Sequence, residues 1–409
     1  MAYDPRAYML LKDNLDFMAP SSPGDPFYVD TEHARGEFSF RDIYMQLGIN
    51  PDSFELLKPA KNQCLLFTGH LGCGKSSELL RLKSKLHDPT RYYVIHFDIR
   101  DVIDDNNCQY VDLLFASAQI LFETMEKEGI TIEDIYLQRL QQWFNQEIIE
   151  QQLDLALSSE LKSEFQAGVS VPFFAKIMAR LTGGLRSNAS YKEKVRQAVR
   201  HTFAMFVDIF NALLDQAERL IIVRGLGKGL LFIVDNTDKL NNIDTQRFFV
   251  DDIHQLRQIR SNFIYAAQIN LLFENRDLQK NYSLVHRLPM IRLFEKEDRT
   301  IRTDDQRFWE PIRQMVYKRV PREWFDSVET VDHLIAHSGG HPRDLVQLLH
   351  KTWLNALTYQ FNRTAVDKAI KKIESEYRRL LTARDFERIR LVDQGQGDQI
   401  NRDELVSLF

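Results

Sequence analysis

The sequence predicts an α/β protein: a parallel β-sheet sandwiched by helices, with a long helical insertion and a helical carboxy-terminal part. Three observations carry that prediction. Short apolar and β-branched runs alternate with helical segments from Cys64 onward, a glycine-rich turn joins the first run to its helix, and helical periodicity persists past Glu295.

Residues 1 to about 60 are rich in Pro, Asp and aromatics, with "APSSPGDPFYVD" (Ala19 to Asp30) as a loop, and read as an arm laid on a domain. The core is expected over 61–295, beginning with the strand "CLLFTG", a glycine turn and a helix over Ser76 to Leu86. "YYVIHFDI" (Tyr92 to Ile99) is the next strand. A helical region of about 108–218, broken near "GVSVPF" (Gly168 to Phe173) and "LTGGLRSNASY" (Leu181 to Tyr191), is too long for a normal crossover and reads as an insertion. Three further strands come after it: "GLLFIVDNTDKL" (Gly229 to Leu240), "SNFIYAAQIN" (Ser261 to Asn270) and "HRLPMIRLF" (His286 to Phe294). Residues 296–390 read as a helical unit. Its "TAVDKAIKKIESEYRRLL" starts with Thr364 as N-cap and places Val366, Ala369, Ile370, Ile373, Tyr377 and Leu380 on one face. After the polar loop "DQGQGDQ" (Asp393 to Gln399), residues 391–409 read as a tail, or the start of a winged helix, ending as in a chain cut from a longer protein.

Length and composition bound the function classes. A chain of 409 residues suggests two or three domains, and 44% apolar with 27% charged residues is a globular balance. A net charge of -5 argues against a surface that is wholly a nucleic-acid footprint. Cys64, Cys73 and Cys108 match no zinc spacing and point to a reducing compartment. The first twenty residues carry early acids and no long apolar run, so they do not read as a signal peptide, and no segment approaches a membrane span. A soluble cytoplasmic protein is expected.

"GHLGCGKS" (Gly69 to Ser76) fits G-x-x-x-x-G-K-[ST], directly after a strand and before a helix. A phosphate needs several converging donors, and consecutive backbone N–H groups supply them only where the loop adopts conformations closed to residues with a Cβ. Gly69, Gly72 and Gly74 permit that, and Cys73 is a small spacer among them. The helix opening at Lys75 turns its positive end to the anion, Lys75 reaches the β/γ-phosphates, and Ser76, with Ser77 next to it, is placed to ligate Mg²⁺. A second acid is then required at the end of a neighbouring strand. "LLFIVDNTD" supplies Asp235 for the metal and Asp238 to orient or activate the attacking water. An acid after a strand also serves to cap the next helical turn, and for Asp238 that reading stands level with the catalytic one.

At these residues the sequence resembles bacterial P-loop ATPases between the STAND/NACHT-type signalling ATPases and the origin-recognition branch of AAA+ proteins. The resemblance rests on "FTGHLGCGKSSELLRL", "VDNTDKL", "FIYAAQINLL", "RLPMIRLF" and "HSGGHPRDLVQLL" (His337 to Leu349), and runs with gaps from about Phe27 to Leu381. It implies a P-loop NTPase core that binds ATP and Mg²⁺, with a helical lid after it and usually a winged helix. It also implies that Arg343 in "GGHPRD" is the lid arginine, sensor 2, which contacts the γ-phosphate; the residue reading left beside it is a helix start with Arg343 paired to Asp344. Gln268 or Asn270 stands in the sensor 1 place, and each also reads as a polar sheet end. Tyr28, Val29 and Arg35 are similar to the family's amino-terminal nucleotide-side segment. Arg257, Arg260 and Arg287 are eligible by position for an arginine finger. AAA+ motors generally carry Asp-Glu at the second acid motif, and Asp-Asn here (Asp235, Asn236) favours a slow signalling switch.

The resulting expectation is an ATP-hydrolysing switch whose nucleotide state controls homo-oligomer assembly or a separate effector protein, in anti-phage defence or regulation by analogy with the family. The chain has no nuclease or protease motif, which makes an effector a partner. The alternative is a DNA-associated loader or remodeller, for which Arg180, Arg186, Lys192, Lys194, Arg196 and Arg200 offer a phosphate-contacting face that reads equally as a solvated helix face. A small-molecule kinase fits less well, since no acceptor-site chemistry is visible. A P-loop protein that binds without hydrolysing stands as the bland reading.

Overall fold

The structure, a computed structural model, describes residues 5–103, 107–149, 170–187, 189–275, 277–295, 301–356 and 359–394. At its centre is a five-stranded sheet in the order β2-β3-β4-β1-β5. Its strands are β1 (Cys64–Gly69), β2 (Tyr93–Asp98), β3 (Leu230–Asp235), β4 (Asn262–Gln268) and β5 (Leu284–Leu288). Every pairing is parallel, from Tyr93 opposite Leu230 at one edge to Leu65 opposite Leu284 at the other. β1 and β3 are thereby separated by β4, and the strand ends carrying Gly69 and Asp235 open on one crevice.

Helices cover both faces because the strands are apolar on both. The longer helices begin with α1 (Pro5–Asn14) and α2 (Lys75–Leu86). One sheet face, with Leu65, Phe67, Val94, Leu231, Ile233 and Ile264, packs on Leu79, Leu82 and Leu86 of α2 and on Phe40, Ile43 and Leu47 from the arm. The other face, with Ile95, Phe97, Phe232, Val234 and Tyr265, packs on the segment between β2 and β3. That segment contributes α3 (Tyr110–Lys127), α4 (Asp134–Phe144), α5 (Val171–Ser187), α6 (Ala189–His201) and α7 (Phe203–Val223). The expected insertion is therefore a layer of the sandwich, sharing one hydrophobic core with the sheet. Gly168 lies outside the described residues, and the expected break from Leu181 narrows to the junction of α5 and α6, where Asn188 also lies outside them.

A second core gathers α8 (Glu310–Arg319), α9 (Val328–His337), α10 (Pro342–Asn355) and α11 (Arg363–Leu380), through Trp309, Ile312, Leu334, Leu345, Leu349 and Val366. Helix α1 belongs here too: Tyr8, Leu11 and Leu15 join this core, and the indole N–H of Trp353 donates to Tyr8 O at 2.9 Å. The arm is thus divided between two bodies.

Two boundaries differ from expectation. The run His286 to Phe294 leaves the sheet at Leu288, because Pro289 has no N–H to continue the ladder. Its second half crosses to the helical core, with Ile291 and Leu293 buried there and Ile291 N donating to Gly340 O at 3.2 Å. Helix α11 is capped by Asn362, whose side chain accepts from Ala365 N at 3.0 Å, so Thr364 lies inside the first turn. On α11 Val366, Ala369 and Ile373 are buried, whereas Tyr377 and Leu380 are exposed because the helix runs past its bundle. A final helix, α12 (Ala383–Asp393), has no buried residue, and 395–409, with the expected tail or winged-helix start, lies outside the described residues. Among the described residues no helix is long and apolar enough to cross a membrane.

Candidate functional site

The turn between β1 and α2 folds back under the strand ends because two of its glycines take left-handed backbone angles, Gly72 at φ 81° and Gly74 at φ 99°. Lys75 then opens α2, buried to 5% exposure. Its ammonium donates to Gly69 O and His70 O, each at 2.8 Å, and lies 2.9 Å from Asp238 Oδ2. Ser76 Oγ donates to Asp235 Oδ1 at 3.1 Å across 159 residues of sequence, so the loop and the β3 acid meet as the motif spacing anticipates.

The surrounding wall is buried and rich in carboxylates. Burial raises the Asp235 carboxyl to about 6, against hydrogen bonds from Asn236 N and Ser76, with Asp238 and Asp98 adding repulsion. Burial likewise lowers His96 to about 4. The imidazole is therefore neutral, and its 4.0 Å approach to Asp235 Oδ2 is not an ion pair. Asp98 stands opposite Asp235 in the sheet register, holds Arg100 at 2.8 Å and accepts from the Asn236 amide.

These groups line a cavity of about 400 Å³. Phe27, Val29, Leu80, Met315 and Val346 give the same cavity an apolar part of its lining, and Met18 to Ser21 of the arm line it too. Arg319 lines the cavity with its guanidinium 5.4 Å from the Phe27 ring, donating to Ser21 Oγ at 3.2 Å. Burial lowers its pKa. The amino end of α10 forms the roof. Arg343 N donates to Gly72 O at 3.4 Å, and the His341 ring lies 2.7 Å from Leu71 O through Nε2. Arg343 lines the cavity, and among the described residues its guanidinium has no hydrogen bond or ion pair. The pairing with Asp344 is not formed: Asp344 is held by His341 at 3.2 Å and by Tyr377 at 2.8 Å.

The structure brings Gly72, Gly74, Lys75, Ser76, Ser77, Asp235, Asp238 and Arg343 to this one cavity. The other expected residues are placed as follows. Gln268 is outside the cavity, with its amide donating to Asp238 O at 2.7 Å and Leu240 O at 3.1 Å, so it fixes the backbone beneath Asp238. Asn270 is outside as well. The Cys73 side chain is fully buried in the core under the loop, where burial pushes its thiol up, and Gly69 contributes a carbonyl to Lys75. Tyr28, Val29 and Arg35 line the cavity, and the Arg35 guanidinium also donates to Cys73 O of the loop at 2.9 Å and to Pro289 O after β5 at 2.6 Å. Arg257, Arg260 and Arg287 do not line it. Among the run offered as a DNA face, Arg196 is wholly buried against Asp112 and Lys192 is buried, so that run is not a continuous basic surface. Arg319, His96, Asp98 and Met18 escaped the sequence reading, since no local spacing links them to the loop.

Chemically, the loop can hold an anion against backbone N–H groups and one ammonium, with a hydroxyl–carboxylate pair able to share a divalent cation, and the apolar lining can take a planar ring. No protein-family model matches this chain, and no curated protein matches it significantly.

Proposed function

We propose that the chain binds ATP with Mg²⁺ at this cavity and hydrolyses it slowly, as a P-loop switch. The observation that carries the reading is the meeting of Lys75, Ser76 and Asp235 beneath a glycine turn, with Arg343 overhead on a different body. The strand order, with β4 between the loop strand and the acid strand, supports it too. So does a cavity lining that combines charged and apolar side chains, which suits triphosphate and base.

The residues present fit a divalent cation, with Ser76 Oγ and Asp235 as its protein ligands. A bound cation supplies charge neutralisation of the phosphate oxygens. The remaining work belongs to the chain. Gly72 and Gly74 let the backbone approach the phosphates, and Lys75 exchanges part of its present contacts for a phosphate oxygen. Asp238 faces the same space and orients water once the ammonium turns from it. Arg343 closes on the terminal phosphate and transmits its presence to the helical body, which acts as a lid. A lid position that depends on nucleotide is the signal an effector protein or a second copy of the chain would read.

Steady-state ATP turnover with Mg²⁺, with Lys75→Ala as the blank, tests this. Turnover far below about one per second with nucleotide bound supports the switch, whereas faster turnover indicates a motor. No turnover and no binding by the wild-type chain overturns the reading.

A further inference from the structure

The cavity wall beside Ser76 is built from His96, Asp98, Asp235 and Asn236. Asp98 is saturated: it accepts from Arg100 N at 2.9 Å, from the Arg100 guanidinium and from the Asn236 amide. Asp235 accepts from Ser76 Oγ and Asn236 N through Oδ1, which leaves Oδ2 toward His96. His96 differs. Its side chain is only 13% exposed, and its Nε2 is buried with no hydrogen-bond partner. Asn236 Oδ1 in the same wall is also buried without a partner, and each such atom is a costly feature. The 4.0 Å gap from Nε2 to Asp235 Oδ2 is too long for a direct hydrogen bond and is a length that one bridging water would span.

We propose that His96 is a positioning residue, whose Nε2 and Asp235 Oδ2 together receive the two protons of one water and aim its oxygen at the place where Ser76 and Asp235 hold the divalent cation. This rests on the nucleotide reading above. Its chemistry is simple: a neutral imidazole offers one lone pair at Nε2, and a carboxylate oxygen offers another. The strand enforces the pairing, because His96 and Asp98 alternate onto the same sheet face as Ile233 and Asp235. Groups that orient a cation's water shell act on affinity for the metal complex, not on the free ligand.

The test is binding of a fluorescent ATP analogue to wild type, His96→Phe and His96→Gln, each with Mg²⁺ and with EDTA. Wild type is expected to bind more tightly with Mg²⁺. His96→Phe keeps its EDTA affinity and loses about tenfold with Mg²⁺, and His96→Gln, which restores a polar atom near Nε2, recovers most of that loss. Equal affinities of His96→Phe and wild type in both conditions overturn the proposal and leave the nucleotide reading standing. Equal losses in both conditions also overturn it, since they mark a packing role. Absence of analogue binding by wild type overturns both. If His96→Phe does not fold, the imidazole ¹⁵N shift of His96 in the wild-type chain decides: it moves at Nε2 when Mg²⁺ is added to the nucleotide complex, and an unmoved signal overturns the proposal.

Discussion

Lys75 Nζ lies 2.9 Å from Asp238 Oδ2, and both side chains are almost wholly withdrawn from solvent. Each is the other's counter-charge, so an anion entering the loop competes with Asp238 for the ammonium. Asp238→Asn leaves the buried lysine uncompensated, a loss on the order of 3 kcal/mol for one half of a buried pair. A triphosphate restores the missing charge. The variant is therefore expected to melt below wild type alone and to gain more than wild type from Mg²⁺-ATP, as measured by thermal shift. Equal gains would mean that the ammonium does not meet the phosphate.

Gly72 holds the loop against the roof. A Cβ there would sit 2.4 Å from His341 Cε1 and 3.1 Å from Arg343 Cβ, and the φ of 81° is strained for any other L-residue. Gly72→Ala should lose more than about 1 kcal/mol of stability and most nucleotide binding. Adding His341→Ala clears the closer contact but neither the one to Arg343 Cβ nor the backbone strain, so the double variant should recover part of the binding. Isothermal titration of both variants measures this, and no recovery would place the effect in the backbone and the Arg343 contact and not in His341.

The legible part of the site was the part encoded locally. Ser76 and Asp235 could be paired from the sequence because each is defined by its own strand end, and a parallel sheet brings such ends together. Arg319 and Met18 could not, since they reach the cavity through helix packing and the course of the arm. Charge alone misread Arg196, whose partner Asp112 is 84 residues away. Alternation alone misread His286 to Phe294, where a single missing N–H at Pro289 ends the sheet and releases the rest to the second core. The insertion was legible as helices but not as a layer, because its burial depends on a sheet face that local periodicity does not specify.

His286 makes folding acid-sensitive. Its ring is buried against Phe38, Phe40 and Phe67, stacked on the last at 5.8 Å, and burial lowers its pKa despite Asp42 and Glu32. The neutral ring is thus favoured in the folded chain, and the unfolded chain binds the extra proton first. The stabilisation is complete above the unfolded value of about 6.5 and is lost as pH falls through it toward the folded value. Melting temperatures across about pH 7.5 to 5 should fall less steeply for His286→Phe than for wild type. Parallel curves would remove His286 as the cause.

Arg196 and Asp112 form a wholly buried pair between α6 and α3, with Arg196 also reaching Asn107. Arg196→Met should cost about 3–5 kcal/mol by stranding the carboxylate, and Asp112→Asn added to it should return part of that. Urea unfolding of the single and double variants gives the coupling. DNA binding, if the chain has any, should be unchanged per folded molecule, since Arg196 has no exposed surface.

Arg343 is the cation whose substitution separates switch from binding site. It enters from α10, lines the cavity and has no ion pair among the described residues, so its removal strands no buried partner. A guanidinium that meets only the terminal phosphate adds nothing to ADP. Wild type is therefore expected to prefer ATP over ADP, and Arg343→Ala should lose about tenfold in ATP affinity with little change for ADP, the difference a charge-assisted contact makes. If the lid reads the phosphate through Arg343, proteolysis between the two bodies should slow with ATP in wild type and become insensitive to it in the variant. An Arg343→Ala chain that still distinguishes ATP from ADP by protease protection would move the sensing to another residue of the roof.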